Sequence, residues 1–472
     1  MANKLDELYN PEKFKEFGDE LIALITAHLK ASHHEEIEVN KWSAPEEQLA
    51  YWQTYELKND NPNALFKAII ERSIHVHHPK YIGHQISPTA PLAALAGLLS
   101  AILNNGMAVY EMGAAATAIE KVVIDTIAEK IGYNENADGF ITSGGSLANL
   151  TALLAAKQSL EPSIPVEKLG VMVSSEAHYS TEKALRIMGI RDEQIIKIPI
   201  NEQFHMQTEL LDSYYENAVS RGLHIFAVIG SAPSTSTGMH DDLQQIAAFC
   251  SKKNIWFHVD GAHGGAAVFS SKYKPLLKGI EYADSITIDG HKMLLMPSIM
   301  SFLMFKNRQH SYAAFQQKAV YLWEKANEED WYDLAKRTFE CTKSMMSIQF
   351  YVLLKYYGVE IFDQFVTRLY DLGRIFSEKI NSRKKFQLFL TPQSNIVCFR
   401  YFLDEEDDVR LNQLNNEIRA ELLHTGNFYI VQTTLINTVY LRVTFMNPKT
   451  NEQTMDELLD AIETIGASKN RC

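Results

Sequence analysis

The stretch Asp284-Ser-Ile-Thr-Ile-Asp-Gly-His-Lys292-Met-Leu-Leu295 sets a short apolar run against a polar, glycine-containing turn that delivers a lysine. Upstream lies a second run of the same kind, Ile255-Trp-Phe-His-Val-Asp260-Gly-Ala-His-Gly-Gly265, which ends on a carboxylate. Short apolar runs bounded by turn residues read as buried strands. The pattern recurs at 139–142, 170–174, 225–230, 255–259, 285–288 and 299–305, with helical stretches between the runs. Buried strands alternating with helices predict an α/β fold: a mostly parallel central sheet with helices on both faces. Ligands of such sheets gather at the carboxyl ends of the strands, where Asp260 and Lys292 fall.

A lysine and an aspartate delivered by two neighbouring strand ends are what pyridoxal 5'-phosphate (PLP) requires. The amine links to the aldehyde, and the carboxylate keeps the pyridine nitrogen protonated so that the ring accepts electrons. Phe140-Ile-Thr-Ser-Gly-Gly-Ser146-Leu-Ala-Asn149 adds a strand, a glycine turn and a helix start. There Gly145 lets the backbone approach an anion, first-turn N–H groups can bind phosphate, and Ser146 can donate its hydroxyl. Taken alone, such a turn is equally a plain helix cap. His178, in Ser174-Ser-Glu-Ala-His178-Tyr-Ser, follows another strand and offers a flat imidazole to a flat ring. Thr235, in Ser234-Thr-Ser-Thr-Gly238, offers a hydroxyl at the same sheet edge, in what is otherwise an ordinary Ser/Thr turn.

Composition narrows the classes of partner. Of 472 residues, 46% are hydrophobic and 22% charged, ordinary values for a globular chain that buries a large core. Asp and Glu number 58 against 45 Lys and Arg, a formal charge of −13 without a long basic stretch, which argues against nucleic acid and anionic membrane as partners. The amino terminus carries acids where a secretory signal has an apolar core, and the apolar stretches near 91–103 and 293–305 are too short to span a bilayer. Four dispersed cysteines, Cys250, Cys341, Cys398 and Cys472, form no CxxC pair, so a reducing cytoplasm is expected. The segment His75-Val-His-His78-Pro-Lys-Tyr-Ile-Gly-His84 lacks the helical spacing of a zinc motif and nearby cysteines, and no metal site is expected.

Outside the central alternation, residues 1–75 read as mostly helical, with Phe14, Phe17, Leu21, Ile22 and Ile25 at helical spacing. Helices are expected near 92–103 and 344–357, and strands at 386–390, 395–402 and 439–445. This divides the chain into a helical segment 1–80, a large domain 81–345 and a small carboxyl-terminal α+β domain 346–472.

The motifs together resemble the group II PLP-dependent amino-acid decarboxylases, which include glutamate, aromatic-amino-acid and diaminobutyrate decarboxylases. His78-Pro79, the segment AAATAIEKVVID from Ala114, SGGSxAN, SSEAHYSxxKA, HVDGAHGG and DGHK stand in that family's order and spacing over roughly residues 60–450. The resemblance implies the aspartate aminotransferase-like fold type I of PLP-dependent transferases. It makes Lys292 the Schiff-base lysine and Asp260 the partner of the pyridine nitrogen. His178 would stack on one ring face and Ala262 on the other, with Gly145, Ser146 and His291 against the phosphate and Thr235 near the cofactor's edge. Gly261 stands where many members have alanine.

The resemblance also implies the reaction: α-decarboxylation of an L-amino acid, with Tyr321 returning a proton to Cα and Arg442 binding a substrate carboxylate. His84 lies in the segment expected to line the substrate pocket, where Gly-His resembles the diaminobutyrate-type members. A small polar substrate is expected, of the diaminobutyrate, glutamate or aspartate class; aromatic amino acids remain open. Rivals on the same fold are an aldehyde synthase, a lyase or an aminotransferase. The first usually has phenylalanine in place of the loop tyrosine, and the last usually stacks an aromatic residue where His178 stands. The family builds its sites across a two-fold homodimer, with amino-terminal helices wrapping the partner.

Overall fold

The computed structural model describes residues 4–56, 61–161, 163–315, 330–403 and 406–469. By their internal contacts they form two compact units. One gathers Met1–His84, Ile375–Phe389 and Cys398–Cys472; the other comprises Gln85–Arg374 and Leu390–Val397.

The larger unit is built on seven strands. In chain order they are β1 (Asp138–Thr142), β2 (Leu169–Ser174), β3 (Ile195–Ile198), β4 (His224–Ser231), β5 (Trp256–Asp260), β6 (Ser285–Asp289) and β7 (Ser301–Phe305). They lie in the order β1-β7-β6-β5-β4-β2-β3. Pairing is parallel from β6 through β5, β4 and β2 to β3, whereas β7 runs antiparallel to both β1 and β6. The sheet is therefore mostly parallel, and β1, β2, β4, β5 and β6 all end at the same edge. Every residue of β1, β2, β5, β6 and β7 is buried, which is why these segments read as unbroken apolar runs. The helix Gly145–Gln158 turns Ala148, Ala152, Ala155 and Ala156 into a core shared with Phe140, Val171, Ile229, Leu303 and Phe305. Small side chains bring the helix axis close to the strands, so its first turn is fixed relative to the strand ends.

In the smaller unit a second sheet takes β8 (Phe386–Leu388), β9 (Ile396–Tyr401), β10 (Val431–Leu435) and β11 (Thr438–Thr444), in the order β10-β11-β9-β8. Residues 80–82 join it: Ile82 N–H donates to the Tyr429 carbonyl at 3.0 Å, and the Ile82 carbonyl accepts from Thr444 N–H at 2.9 Å. The long helix Pro11–His33 leaves Phe14, Ile22 and Ile25 exposed. In the larger unit, the helix Pro91–Leu103 exposes Leu95, Leu98, Leu99, Ile102 and Leu103. Among the described residues no helix is long and apolar enough to cross a membrane.

Candidate active site

Thr142, Ser174, Ser231, Asp260 and Asp289 terminate the co-directional strands, and the register sets Ser231 beside Asp260 and Asp289 beside Ser301. The loops beyond β5 and β6 are tied together, Asp289 N–H donating to the Ala262 carbonyl at 3.0 Å. The lysine turn and the aspartate turn are thus held side by side.

Gly144 opens the helix Gly145–Gln158 with φ +118° and no side-chain cap, so the first-turn N–H groups are not claimed by a side chain. Such a helix start attracts an anion. A Cβ added at Gly145 would stand 2.7 Å from Asp289 Oδ1, so a side chain here would have to displace that carboxylate. Ser146, the next residue, is exposed.

Asp260 is buried, and both of its oxygens accept hydrogen bonds. Oδ1 takes the Ala262 N–H at 3.2 Å, and Oδ2 takes the Asn149 amide at 2.9 Å. His178 caps the helix Tyr179–Ile187, its Nδ1 lying 3.3 Å from Ser180 N and 2.7 Å from Ser180 Oγ. Burial pushes the His178 imidazole below its ordinary value; Asp260 pulls it up, Lys292 pushes it further down and Asp289 pulls it up. Those three charges therefore act on one imidazole. At Gly261 an added Cβ would stand 3.0 Å from the Thr287 carbonyl and 3.1 Å from the Gly265 backbone, a tight fit.

Lys292 sits in the short helix Gly290–Met293, directly after β6. Its Nζ lies 3.1 Å from Asp289 Oδ2 and its side chain is mostly buried. Asp289 also accepts from the Ser301 hydroxyl and stands 3.7 Å from His291 Nε2. His291 is anchored by Nδ1, 2.8 Å from the Met300 carbonyl. Thr235 is half-buried in the turn after β4, where Ser234 and Thr237 bond each other at 3.0 Å. The larger unit thus holds Gly145, Ser146, His178, Thr235, Asp260, Ala262, His291 and Lys292 on loops and helix starts following its strands. Asp289, Asn149 and Ser301 join them without having been singled out from sequence.

His84 and Arg442 belong to the smaller unit. Residues 80–82 lead His84 to the second sheet, its ring 5.8 Å from that of Tyr429. Arg442 lies in β11, and its Nε and Nη2 are buried without a hydrogen-bond partner among the described residues. Burial pulls the Arg442 guanidinium below its usual value. Arg419, on the helix Asp408–Thr425, has a buried Nε in the same condition. Burial lowers the His84 imidazole, and Arg442 and Arg419 lower it further. The neighbouring histidines are held by backbone: His75 faces the Glu38 and Ile70 carbonyls at 2.7 and 3.1 Å, and His78 Nδ1 takes the Lys80 N–H at 3.1 Å. Tyr321 lies outside the described residues.

An amine, a buried carboxylate, an imidazole under the influence of both, and an uncapped helix start suit a planar, phosphorylated aldehyde such as PLP. The helix start at Gly145, which no side chain caps, is the observation that favours an anion there. Residues 55–402 match the family model described as the pyridoxal-dependent decarboxylase conserved domain. An aromatic-L-amino-acid decarboxylase of Bacillus atrophaeus is 27% identical over 407 residues, covering 85% of this chain and 84% of that protein. An L-aspartate decarboxylase of Metarhizium robertsii is 30% identical over 345 residues, covering 71% of this chain and 69% of that protein. The crystal structure of mouse CSAD shares the fold with a TM-score of 0.89 at 22% identity, over 97% of this chain and 99% of that one.

Proposed function

Because the chain belongs to the pyridoxal-dependent decarboxylase family and is a PLP-dependent amino-acid decarboxylase, we propose that its substrate is a small dicarboxylic L-amino acid of the aspartate or glutamate class. The observation that carries this reading is Arg442, a buried guanidinium with two nitrogens lacking partners among the described residues. A buried cation without an acceptor is costly, and a bidentate carboxylate is its best complement. Arg419 adds a second unpartnered donor, and both arginines act on His84. A cationic side chain such as that of diaminobutyrate would be repelled by this pair. An arginine clamped on the carboxyl group that leaves would stabilise the ground state and oppose its departure, so Arg442 is assigned to the carboxylate that stays.

The remaining roles follow from residue chemistry. When bound, the cofactor's protonated pyridine ring supplies the electron sink for the bond that breaks. Lys292 Nζ is the amine assigned to hold the cofactor covalently, and Asp289, 3.1 Å away, orients it. Asp260 retains a proton at the ring nitrogen through its charge. The Gly145 and Ser146 turn, with His291, is assigned to the phosphate; Thr235 to the cofactor's edge; His178 and Ala262 to the two ring faces. Tyr321 is assigned the proton delivered to Cα on family resemblance.

We further propose a homodimer. The helix Pro91–Leu103 exposes Leu95, Leu98, Leu99, Ile102 and Leu103, and the helix Pro11–His33 exposes Phe14, Ile22 and Ile25, which supports that reading. Leu98→Glu should shift sedimentation toward monomer.

The substrate is tested by incubating the PLP-loaded protein with each common L-amino acid and L-2,4-diaminobutyrate while following carbon dioxide and amine. Aspartate or glutamate should lead by about 100-fold in kcat/KM. Preference for diaminobutyrate or an aromatic amino acid would overturn the dicarboxylate reading while leaving the decarboxylase intact.

A further inference from the structure

We infer that Asn149 is a positioning residue that holds Asp260 and His178 in register through one side-chain amide, and that His258, Ser285 and Trp256 fix the orientation of that amide. The inference rests on the reading of Asp260 as the partner of the ring nitrogen.

The donors and acceptors leave one consistent assignment. An ionised carboxylate only accepts, so the Asn149 atom 2.9 Å from Asp260 Oδ2 is the amide nitrogen. Its second N–H points to Ser180 Oγ at 3.2 Å. The amide oxygen therefore faces His258 Nε2 at 3.1 Å, and that nitrogen must carry a hydrogen. In the neutral ring Nδ1 is then an acceptor, and it takes the Ser285 hydroxyl at 2.8 Å. Ser285 Oγ in turn accepts from Trp256 Nε1–H at 2.9 Å. Donation runs one way, from Trp256 through Ser285, His258 and Asn149 to Asp260.

The direction has a physical consequence. Burial alone favours a protonated carboxyl, whereas a chain of aligned donors ending on it favours the anion. An anionic Asp260 is the form that keeps a proton on the ring nitrogen. The neutral state of His258 agrees with its setting: burial pushes the imidazole down to about 4, against the pull of Asp260.

The other arm ends at the imidazole assigned to the ring face. Ser180 N–H points to His178 Nδ1, so Nδ1 is the acceptor and the Ser180 hydroxyl donates to it as well. Asn149 lies on the helix whose first turn contains Gly145 and Ser146. One helix therefore serves both ends of the cofactor, with its N–H groups at the phosphate and its second turn at the carboxylate. A buried asparagine that merely satisfies itself would not need this polarity.

The test uses the full-length protein and PLP, read by cofactor dissociation constant, by the pH dependence of the bound cofactor's visible absorbance, and by kcat and KM separately. Asn149→Leu removes the donor at similar volume. It should weaken cofactor binding and lower kcat by about 10–100-fold each, with KM changed less than about threefold. Asn149→Asp sets two carboxylates together, and they share a proton, so the absorbance titration should move by more than about one pH unit. His258→Leu should reproduce part of the Asn149→Leu loss, and His258→Gln, which restores a donor to the Asn149 oxygen, should recover it. Asp260→Asn is run alongside. If Asp260→Asn is impaired while Asn149→Leu behaves as wild type, the inference is overturned and the site stands. If Asp260→Asn is itself without effect, the reading of Asp260 falls. Should Asn149→Leu fail to fold, the His258 pair decides: equal behaviour of His258→Leu, His258→Gln and wild type would overturn the network.

Discussion

The groups assigned to the cofactor and the arginine assigned to the substrate are held in opposite ways. Around the ends of β5 and β6, Asp260, Asn149, His258, Asp289 and Lys292 all have partners within the protein. In the smaller unit Arg442 keeps two buried nitrogens without one among the described residues. A resident cofactor is best received by groups already held in place, since preorganised donors and acceptors need no rearrangement during reaction. A substrate that comes and goes supplies the missing acceptor itself, and specificity follows because any ligand without that acceptor leaves the arginine unsatisfied. Internal satisfaction marks the groups assigned to the cofactor, and orphaned donors mark the group assigned to the substrate.

Changes at three residues probe this contrast, beginning with the largest effect. Lys292→Ala removes the covalent anchor and should lower kcat by at least about 1,000-fold, with loss of the visible band after dialysis. Retention of that band would break the assignment. Arg442→Met should raise KM for the dicarboxylic substrate and lower kcat/KM by about 100-fold, leaving the cofactor dissociation constant within about twofold. Arg442→Lys should recover little, because an ammonium lacks the planar fork. A large loss of cofactor binding in Arg442→Met would erase the division of labour between the groups. Tyr321→Phe should lower amine yield by about 10–100-fold, with aldehyde and ammonia formed in its place at the expense of dissolved dioxygen; unaltered amine output would remove Tyr321 from the reaction.

Much of this arrangement is written along the chain, and the remainder lies across it. The strands of the parallel core were legible because burial on both faces leaves uninterrupted apolar runs. The strand β3 was not, since Ile195–Ile198 is short and carries the exposed Lys197. Nor was β10, whose buried ends flank more exposed residues. The reversed direction of β7 follows from the connection, because the segment 290–300 is too short for the crossover that a parallel neighbour requires. Lys292, Asp260 and His178 stood out because each ends an apolar run with a reactive group. Asn149 and His258 lay inside quoted motifs without a visible role, because their link spans 109 residues and exists only once helix and strand are packed. Arg419 gave no local signal; it is an arginine on an amphipathic helix until β11 and His84 are folded beside it.

The smallest predicted effect is acid sensitivity, which also separates the units. Burial lowers His77 to about 4, with His33 and His28 acting in the same direction. Burial also lowers His78 to about 4, with Glu35 raising it and Lys80 and His75 lowering it. A histidine depressed by folding takes up its proton more readily in the unfolded chain. Its contribution is complete above the unfolded value of 6.5 and is lost as pH falls toward 4. Both residues belong to the smaller unit. In the larger unit His258 and His240 behave likewise, lowered by burial to about 4 and about 3, but burial raises Asp241 to about 6 despite donation from the Met206 and Ser231 N–H groups. Asp241 therefore holds a proton that the unfolded chain releases between 3.8 and about 6, and its contribution grows as pH falls through that window. Asp241 therefore offsets part of the histidine loss in the larger unit. Between pH 7 and 5, hydrogen exchange should accelerate first around residues 75–84 and only later in the central sheet. His78→Asn should flatten the response of the smaller unit alone. Simultaneous loss of protection in both units would show that they unfold as one body, and would remove the basis for treating their acid responses separately.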